Sequence, residues 1–571
     1  MSLYDRNRGI DHMLLGAVFE REVRFAPKSK GLFIGRAVYA GSLLAIIATC
    51  WLVLTGTQAV TSPGDTARFG ATLLRTLAPL QLSLAVLAAA MTAAIAVSVE
   101  KDRRTLELLL LSRLSERELV LGKLAASLLR VILMLLSAIP VFGIASLFGG
   151  VTGIQLGRLF LVTAASALCA ASIATTVAFW KDTTFQAVAI TAFVLVAWIV
   201  TGEAAARWFG PLIGEQISPA RAMFAALSPA GGNLGSFLSL CGLVILGTNL
   251  VAIRRVRSWN MARDARRAAQ AQGTTGSPES RPTRHIWKNP ILWREVCTNA
   301  YGRTIVIVRI AWLLLFTAAV AGIVSEARAE NPDRFAVAVA VIPMALASLL
   351  AVTALAVTSI TTERDRGSLD LLLVSDLEPK EFIWGKLFGA IAVAREVVVL
   401  PLCLCVALVA SGIASVENGV YLLLGTGILL FFAAVLGIHI GLSYPSSRRA
   451  IGIGLGTIAF LFIGVATAMR IMVAFGASFE LQLAPFLAVI VGGGIGLYAA
   501  LSARNPSPAI GWASAILPAL TFVGITGFLQ GNTLQVLLVV AVAYGFTTVA
   551  LLVPAIGAFD VLTGRSSAGD A

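Results

Sequence analysis

Two short runs of charged residues hold most of the chemistry this sequence offers. The first is Glu100-Lys101-Asp102-Arg103-Arg104-Thr105-Leu106-Glu107, followed by four leucines, Ser112 and, further on, Gly122-Lys123-Leu124. The second is Glu363-Arg364-Asp365-Arg366-Gly367-Ser368-Leu369-Asp370, followed by Leu371-Leu372-Leu373-Val374, Ser375 and Gly385-Lys386-Leu387. The offset from Glu100 to Glu363 is a constant 263 residues, without gaps, and 13 of 25 aligned positions are identical. Leucine matches are cheap in a leucine-rich chain; matched Glu, Asp, Arg, Ser, Gly and Lys are not. One such run would pass as a solvated loop. Two runs matched in charge order, with the same downstream Gly-Lys, mark a duplicated working part.

Other chemistry finds little support. The phosphate-cradling pattern needs a glycine five residues before Gly-Lys and a hydroxyl after it. Arg117 and Lys380 stand where the glycine belongs, and leucine follows each lysine. Neither His-Glu-x-x-His nor Gly-x-Ser-x-Gly occurs. The three histidines, His12, His285 and His439, are too scattered for a metal cluster, and the six cysteines give no disulfide framework. No cofactor or metal is expected in this chain, nor is it expected to be an enzyme.

The elements that position the two runs are membrane helices. Hydrophobic residues make up 58% of the 571 and charged residues 13%, against about a quarter charged in a soluble domain. Fourteen apolar runs, from 36–56 to 533–556, reach or approach the roughly 20 residues a span requires. The expected fold is an all-α, polytopic α-helical membrane protein of about 12–14 transmembrane helices, built as a tandem duplicated membrane unit. The first unit covers 1–257 and the second 288–571, each opening with a surface helix. A cytoplasmic linker, 258–287, contains Gly273-Thr274-Thr275-Gly276-Ser277-Pro278. Glu20-Arg21-Glu22-Val23 and Trp293-Arg294-Glu295-Val296 echo each other ahead of the first span of each half.

With the N-terminus inside, about 31 of the 44 Lys and Arg fall on the cytoplasmic side, eleven of them in 254–303. Both termini and both charged runs then face the cytoplasm of a cell whose plasma (inner) membrane holds the chain. The net charge of +14 reads as orientation and contact with membrane lipids rather than nucleic-acid binding.

Each charged run follows the second span of its half and precedes a long third one. Ser115-Glu116-Arg117-Glu118 spells a capping box, and Pro379 after Glu378 offers a first-turn proline with Glu381 in the third position. Residues 116–149 would extend about 50 Å as a helix, with Pro140 and Pro401 as kink sites in the two halves. A stiff helix joined to a charged elbow is a lever, and the chain holds no motor.

The first elbow, Glu100 through Ser112 followed by Glu118-Leu119-Val120-Leu121-Gly122-Lys123, resembles the loop after the second span in permease subunits of the type-2 ABC exporter family. The second, Glu363 through Ser375, is similar to the same loop and closer to it at Arg366-Gly367-Ser368. The resemblance implies six spans per unit, an elbow helix before the first span, and a coupling helix that contacts a separate ATP-binding subunit, two such subunits for two units. It also likens 203–233, with Trp208, Phe209, Pro211, Pro219 and Pro229, to the outer re-entrant helices of such permeases. The second half departs by lacking that segment and adding two spans. By this resemblance Glu100, Asp102, Arg103, Glu107, Glu363, Asp365, Arg366 and Asp370 are the ATPase-coupling residues, and ATP is bound by the partner. Arg130, Arg309, Arg395, Glu396 and Arg470 lie within expected spans, where salt bridges, snorkelling or a path for an anionic head group would account for them. An ion-coupled secondary transporter and a non-transporting assembly factor are the competing readings.

Overall fold

The computed structural model describes residues 19–20, 30–57, 62–103, 105–112, 114–181, 184–229, 231–272, 287–297, 305–329, 334–365, 367–369, 372, 377–475, 479–504, 506–557 and 559. Among them the structure is helical, without a strand. Eleven helices are long and apolar enough to cross a membrane, or twelve if one bent pair counts as a span. Two shorter apolar helices, Leu32–Ala48 and Phe486–Leu501, complete the fourteen apolar runs read from the sequence. The chain is an all-α polytopic membrane protein. It divides into two compact units: residues 1–191, 198–285 and 473–485 form one, and 192–197, 286–472 and 486–571 the other.

Unit 1 contains α1 (Lys30–Thr57), α2 (Pro63–Asp102), α3 (Thr105–Leu111), α4 (Glu116–Leu147), α5 (Gly153–Trp180), α6 (Thr184–Phe209), α7 (Pro211–Ile217), α8 (Pro219–Leu227) and α9 (Leu234–Gln272). Helix α2 is the centre, packed along α5 and against α4. Its small buried residues, Ala85, Ala89, Ala90, Ala93 and Ala94, allow the close helix approach that drives association in lipid. The turn from α4 to α5 runs through Gly149 and Gly150 at φ +91° and +76°. A Cβ on Gly150 would stand 2.0 Å from the Ala67 carbonyl oxygen, so only glycine lets this turn close on α2. The short helices α7 and α8 fold back as the sequence led one to expect. Trp198 Nε1 donates to the Ile217 carbonyl at 2.8 Å, and Arg221 Nε donates to both oxygens of Glu203 at 3.1 and 3.0 Å.

Unit 2 contains α10 (Pro290–Cys297), α11 (Ile305–Ala327), α12 (Arg334–Asp365), α13 (Pro379–Val393), α14 (Arg395–Ala410), α15 (Val416–Ser443), α16 (Ser447–Ala459), a π-helical turn (Phe460–Gly464), α17 (Val465–Phe475), α18 (Phe479–Leu501), α19 (Pro508–Gln530) and α20 (Thr533–Gly557). Here α12 packs against α15, as α2 does against α5. The last helix α20 packs on α15 in the way α9 packs on α5. Thr176 of α5 donates to the Thr248 carbonyl of α9 at 3.1 Å. In unit 2, His439, 263 residues beyond Thr176, has its Nε2 2.9 Å from the Leu501 carbonyl of α18, while α20 keeps its packing on α15. Helix α20 is therefore the counterpart of α9. The two added helices are α18 and α19, which stand in the chain where unit 1 has α7 and α8.

The third span differs between the units and departs from the expected kinks. Helix α4 runs unbroken through Pro140. In unit 2 the span is bent by 65° between α13 and α14, at Ala394 and not at Pro401, which lies inside α14.

Candidate functional site

The first elbow begins where α2 runs out. The Arg103 N–H donates to the Val99 carbonyl at 3.1 Å and the chain turns. Helix α3 then starts at Thr105, whose hydroxyl donates to the Glu100 carbonyl at 3.2 Å. Helix α3 is amphipathic because its leucines are spaced to face two ways. Leu106 and Leu110 enter a cluster with Val97, Leu119, Val120, Phe179 and Val256, each fully buried leucine contributing about 2 kcal/mol. Leu108 and Leu111 face outward, 68% and 76% exposed. The capping box then starts α4: Glu118 N donates to Ser115 Oγ at 3.2 Å, and Ser115 N donates to Glu118 Oε2 at 2.8 Å. Arg257 of α9 pairs with Glu116 at 3.2 Å and closes the elbow from the other side.

The charged residues of this elbow divide by direction. Glu100 forms an ion pair with buried Lys123 of α4. Asp102, 4% exposed, accepts from Thr184 Oγ1 of α6 at 2.5 Å. Lys101 Nζ donates to the carbonyls of Phe179 and Lys181 at the end of α5, at 2.5 and 2.9 Å. Arg103 is exposed and Glu107 half-buried. The inward residues thus tie the elbow to three helices, and Arg103, Glu107, Leu108 and Leu111 form its outer surface.

The second elbow repeats this arrangement contact by contact. Glu363 pairs with Lys386 of α13 at 2.7 Å. Ser447 Oγ of α16 donates to Asp365 at 2.5 Å. Arg364 donates to the Tyr444 and Leu442 carbonyls at the end of α15, at 2.5 and 3.5 Å. Ser368 Oγ donates to the Glu363 carbonyl at 3.2 Å, as Thr105 does to Glu100. Every partner stands 263 residues beyond its counterpart: Lys386 to Lys123, Ser447 to Thr184, Leu442 to Phe179, Tyr444 to Lys181. Gly367, at φ +71°, makes the tight turn after α12. Burial raises the Tyr444 phenol above its ordinary pKa, and its hydroxyl donates to the Ala500 carbonyl at 2.8 Å. Arg366 and Asp370, also expected to couple, lie outside the described residues.

Unit 2 adds members to the ion pair that the sequence reading missed. Glu295 of α10 also accepts from Lys386, at 2.6 Å, and Arg294 pairs with both Glu363 and Glu295. Lys386 is 1% exposed, so these carboxylates offset the cost of burying it. Two glycines make the approach of α10 possible. A Cβ on Gly385 would meet Ile291 Cβ at 2.7 Å, and one on Gly389 would meet Glu295 Cβ at 2.7 Å. Asn289 Nδ2 fixes the start of α10 by donating to the Glu381 carbonyl at 2.8 Å. The Arg294-Glu295 echo of the N-terminal segment was the available signal; its counterpart Arg21-Glu22-Val23 lies outside the described residues. Among the described residues, no group of three or more His, Cys, Asp and Glu is placed to hold a metal ion.

The described helices form a multi-pass bundle with a charged elbow after α2 and the two short helices α7 and α8 before α9. Residues 59–213 match the family model described as ABC-2 family transporter protein, a stretch that includes the whole first elbow and is of the ABC-2 permease type. Permeases of that family associate with ABC ATPase subunits in general. None of the curated proteins compared with the chain matches it.

Proposed function

We propose that the chain is the permease of an ATP-driven exporter, two permease units fused in tandem, served by two separate ATPase subunits that dock on the elbows. The observation that carries this reading is the recurrence of the same elbow contacts at one fixed offset, in a chain whose Gly-Lys pairs lack the phosphate-cradling pattern. The outward surface of the first elbow, with Arg103, Glu107, Leu108 and Leu111, is where an ATPase would sit. Movement there would pass through Glu100 to α4, through Lys101 to α5 and through Asp102 to α6. The same role falls to Glu363, Arg364 and Asp365 in unit 2, and Arg366 and Asp370 are coupling residues by the resemblance of the sequence alone. Both termini and elbows would face the cytoplasm, in agreement with the basic-residue asymmetry, and the plasma membrane is the proposed location.

The test is co-purification with a co-expressed ABC ATPase. Leu108→Asp with Leu111→Asp should reduce recovery of the ATPase by at least about tenfold, since removing contacts of this kind costs on the order of 2 kcal/mol or more. Unfolding temperature should stay unchanged, because these side chains face outward. Full recovery with unchanged transport-linked hydrolysis would return the elbows to the role of solvated loops and favour an ion-coupled carrier.

A further inference from the structure

The break in the third span of unit 2 brings charge to a lipid-facing surface. Lys386, in the ion-pair cluster that marks the elbow end of α13, precedes Arg395 by nine residues, about 13 Å of helix. The hydrocarbon layer is about 30 Å thick, so a cluster at its boundary leaves Arg395 well inside it. Yet the Arg395 side chain is 65% exposed. Around it, Ile310 and Leu313 of α11 and Val399 of α14 are also exposed, as lipid-facing residues are.

One carboxylate serves two guanidiniums at this place. Glu396 Oε1 lies 2.9 Å from Arg395 Nε and 3.1 Å from Arg309 Nε. Among the described residues, two positive charges against one negative leave an excess of one, at a depth where unbalanced charge is costly. The first turn of α14 starts from Ala394 without a side-chain cap, so its backbone N–H groups add to the positive side. The corresponding positions in unit 1 are Ile46, Ile132 and Leu133, and there α4 is unbroken. Break and charge occur together, in one unit.

We propose that this break is a binding site for the phosphate of an anionic phospholipid. Arg395 and Arg309 donate to the phosphate, Glu396 holds the two guanidiniums side by side, and the acyl chains lie along the apolar faces of α11 and α14. A phospholipid is favoured over a soluble phosphate because the surrounding surface is apolar. The site needs no ATPase and stands or falls independently of the proposed docking on the elbows.

The experiment uses the full chain in phosphatidylcholine nanodiscs, titrated with fluorescent dioctanoyl phosphatidylglycerol. Dioctanoyl phosphatidylcholine and glycerol 3-phosphate serve as competitors, and Arg395→Leu, Arg395→Lys and Arg309→Leu as variants. Phosphatidylglycerol should compete and bind saturably, with affinity at least about fivefold lower in Arg395→Leu, the factor one lipid-facing charge supplies. Arg395→Lys should fall between, and Arg309→Leu should weaken binding while leaving Arg395 paired with Glu396. Unfolding temperatures of Arg395→Leu should equal or exceed that of the parent, since an exposed charge leaves the apolar layer. Equal competition by phosphatidylcholine would reduce the site to an acyl-chain groove and overturn the proposal. Equal competition by glycerol 3-phosphate would make the ligand soluble and overturn it as well. Unchanged affinity in both leucine variants would leave Arg395 as a snorkelling side chain only.

Discussion

The two elbows make the same contacts, and among the described residues they differ in what is added to them. In unit 1, Glu100 pairs with Lys123, and no other described residue joins that pair. In unit 2 the matching pair, Glu363 and Lys386, is joined by Arg294 and Glu295 from α10, and α13 then breaks from α14 at 65°. What recurs is the attachment of the elbow to the helices around it. What varies is how firmly that attachment is held and how straight the lever beyond it runs. The difference separates the candidate coupling residues into two kinds. Glu100, Asp102, Glu363 and Asp365 position the elbow from inside, and Arg103 and the exposed leucines of α3 are the surface a partner would meet.

The largest expected effect falls on the denser cluster. Lys386→Met should cost about 3–5 kcal/mol, because Glu295 and Glu363 would share only Arg294. Lys123→Met should cost less, since among the described residues Lys123 pairs with Glu100 alone and is more exposed than Lys386, 8% against 1%. Thermal unfolding of the detergent-solubilised variants compares them. Equal shifts would mean that α10 adds no bracing.

Next come the buried aspartates. Asp102→Asn and Asp365→Asn each keep an oxygen for the Thr184 or Ser447 hydroxyl, while the charge is lost and the other oxygen becomes an amide nitrogen. Each should destabilise by about 1–2 kcal/mol. The same unfolding measurement should place the two within error of each other. A large disparity would show that the repeated geometry hides unlike surroundings.

Much of this organisation could be read from residues alone. The repeat was visible because charge order is rarely matched by chance, and the capping box at Ser115 because both of its members lie within one turn. The direction of Glu100 and Asp102 was not. Their partners are 23 and 82 residues away, and nothing local to the elbow says which face of α2 meets α4 or α6. The bracing by Arg294 was hidden for the same reason, with Glu363 lying 69 residues beyond it. The break at Ala394 escaped because the sequence points to Pro401, and residues 393–396, Val-Ala-Arg-Glu, contain neither proline nor glycine. The place of α18 and α19 in unit 2 emerged only when α20 was seen packed as α9 is.

The smallest difference concerns helix starts. Ser115→Ala removes a side-chain cap from α4 and should cost about 1 kcal/mol. Glu378→Ala should be close to neutral, because Glu378 makes no capping hydrogen bond and Pro379 already sets the first turn of α13. Denaturant titration of each variant against the parent chain resolves them. A cost at Glu378 equal to that at Ser115 would place a capping interaction in unit 2 after all.

The central claim is that the outer face of the first elbow is an ATPase contact, and site-specific photocrosslinking tests it most directly. A photoreactive residue is placed at Leu108 or Leu111, which face outward, or at Leu246, an exposed residue of α9 within its membrane-spanning stretch. The chain is co-expressed with a candidate ABC ATPase, and adducts are identified by peptide mass. The account predicts adducts to the ATPase from positions 108 and 111 and none from 246. Lipid adducts alone from all three positions, while the ATPase still co-purifies, would contradict it.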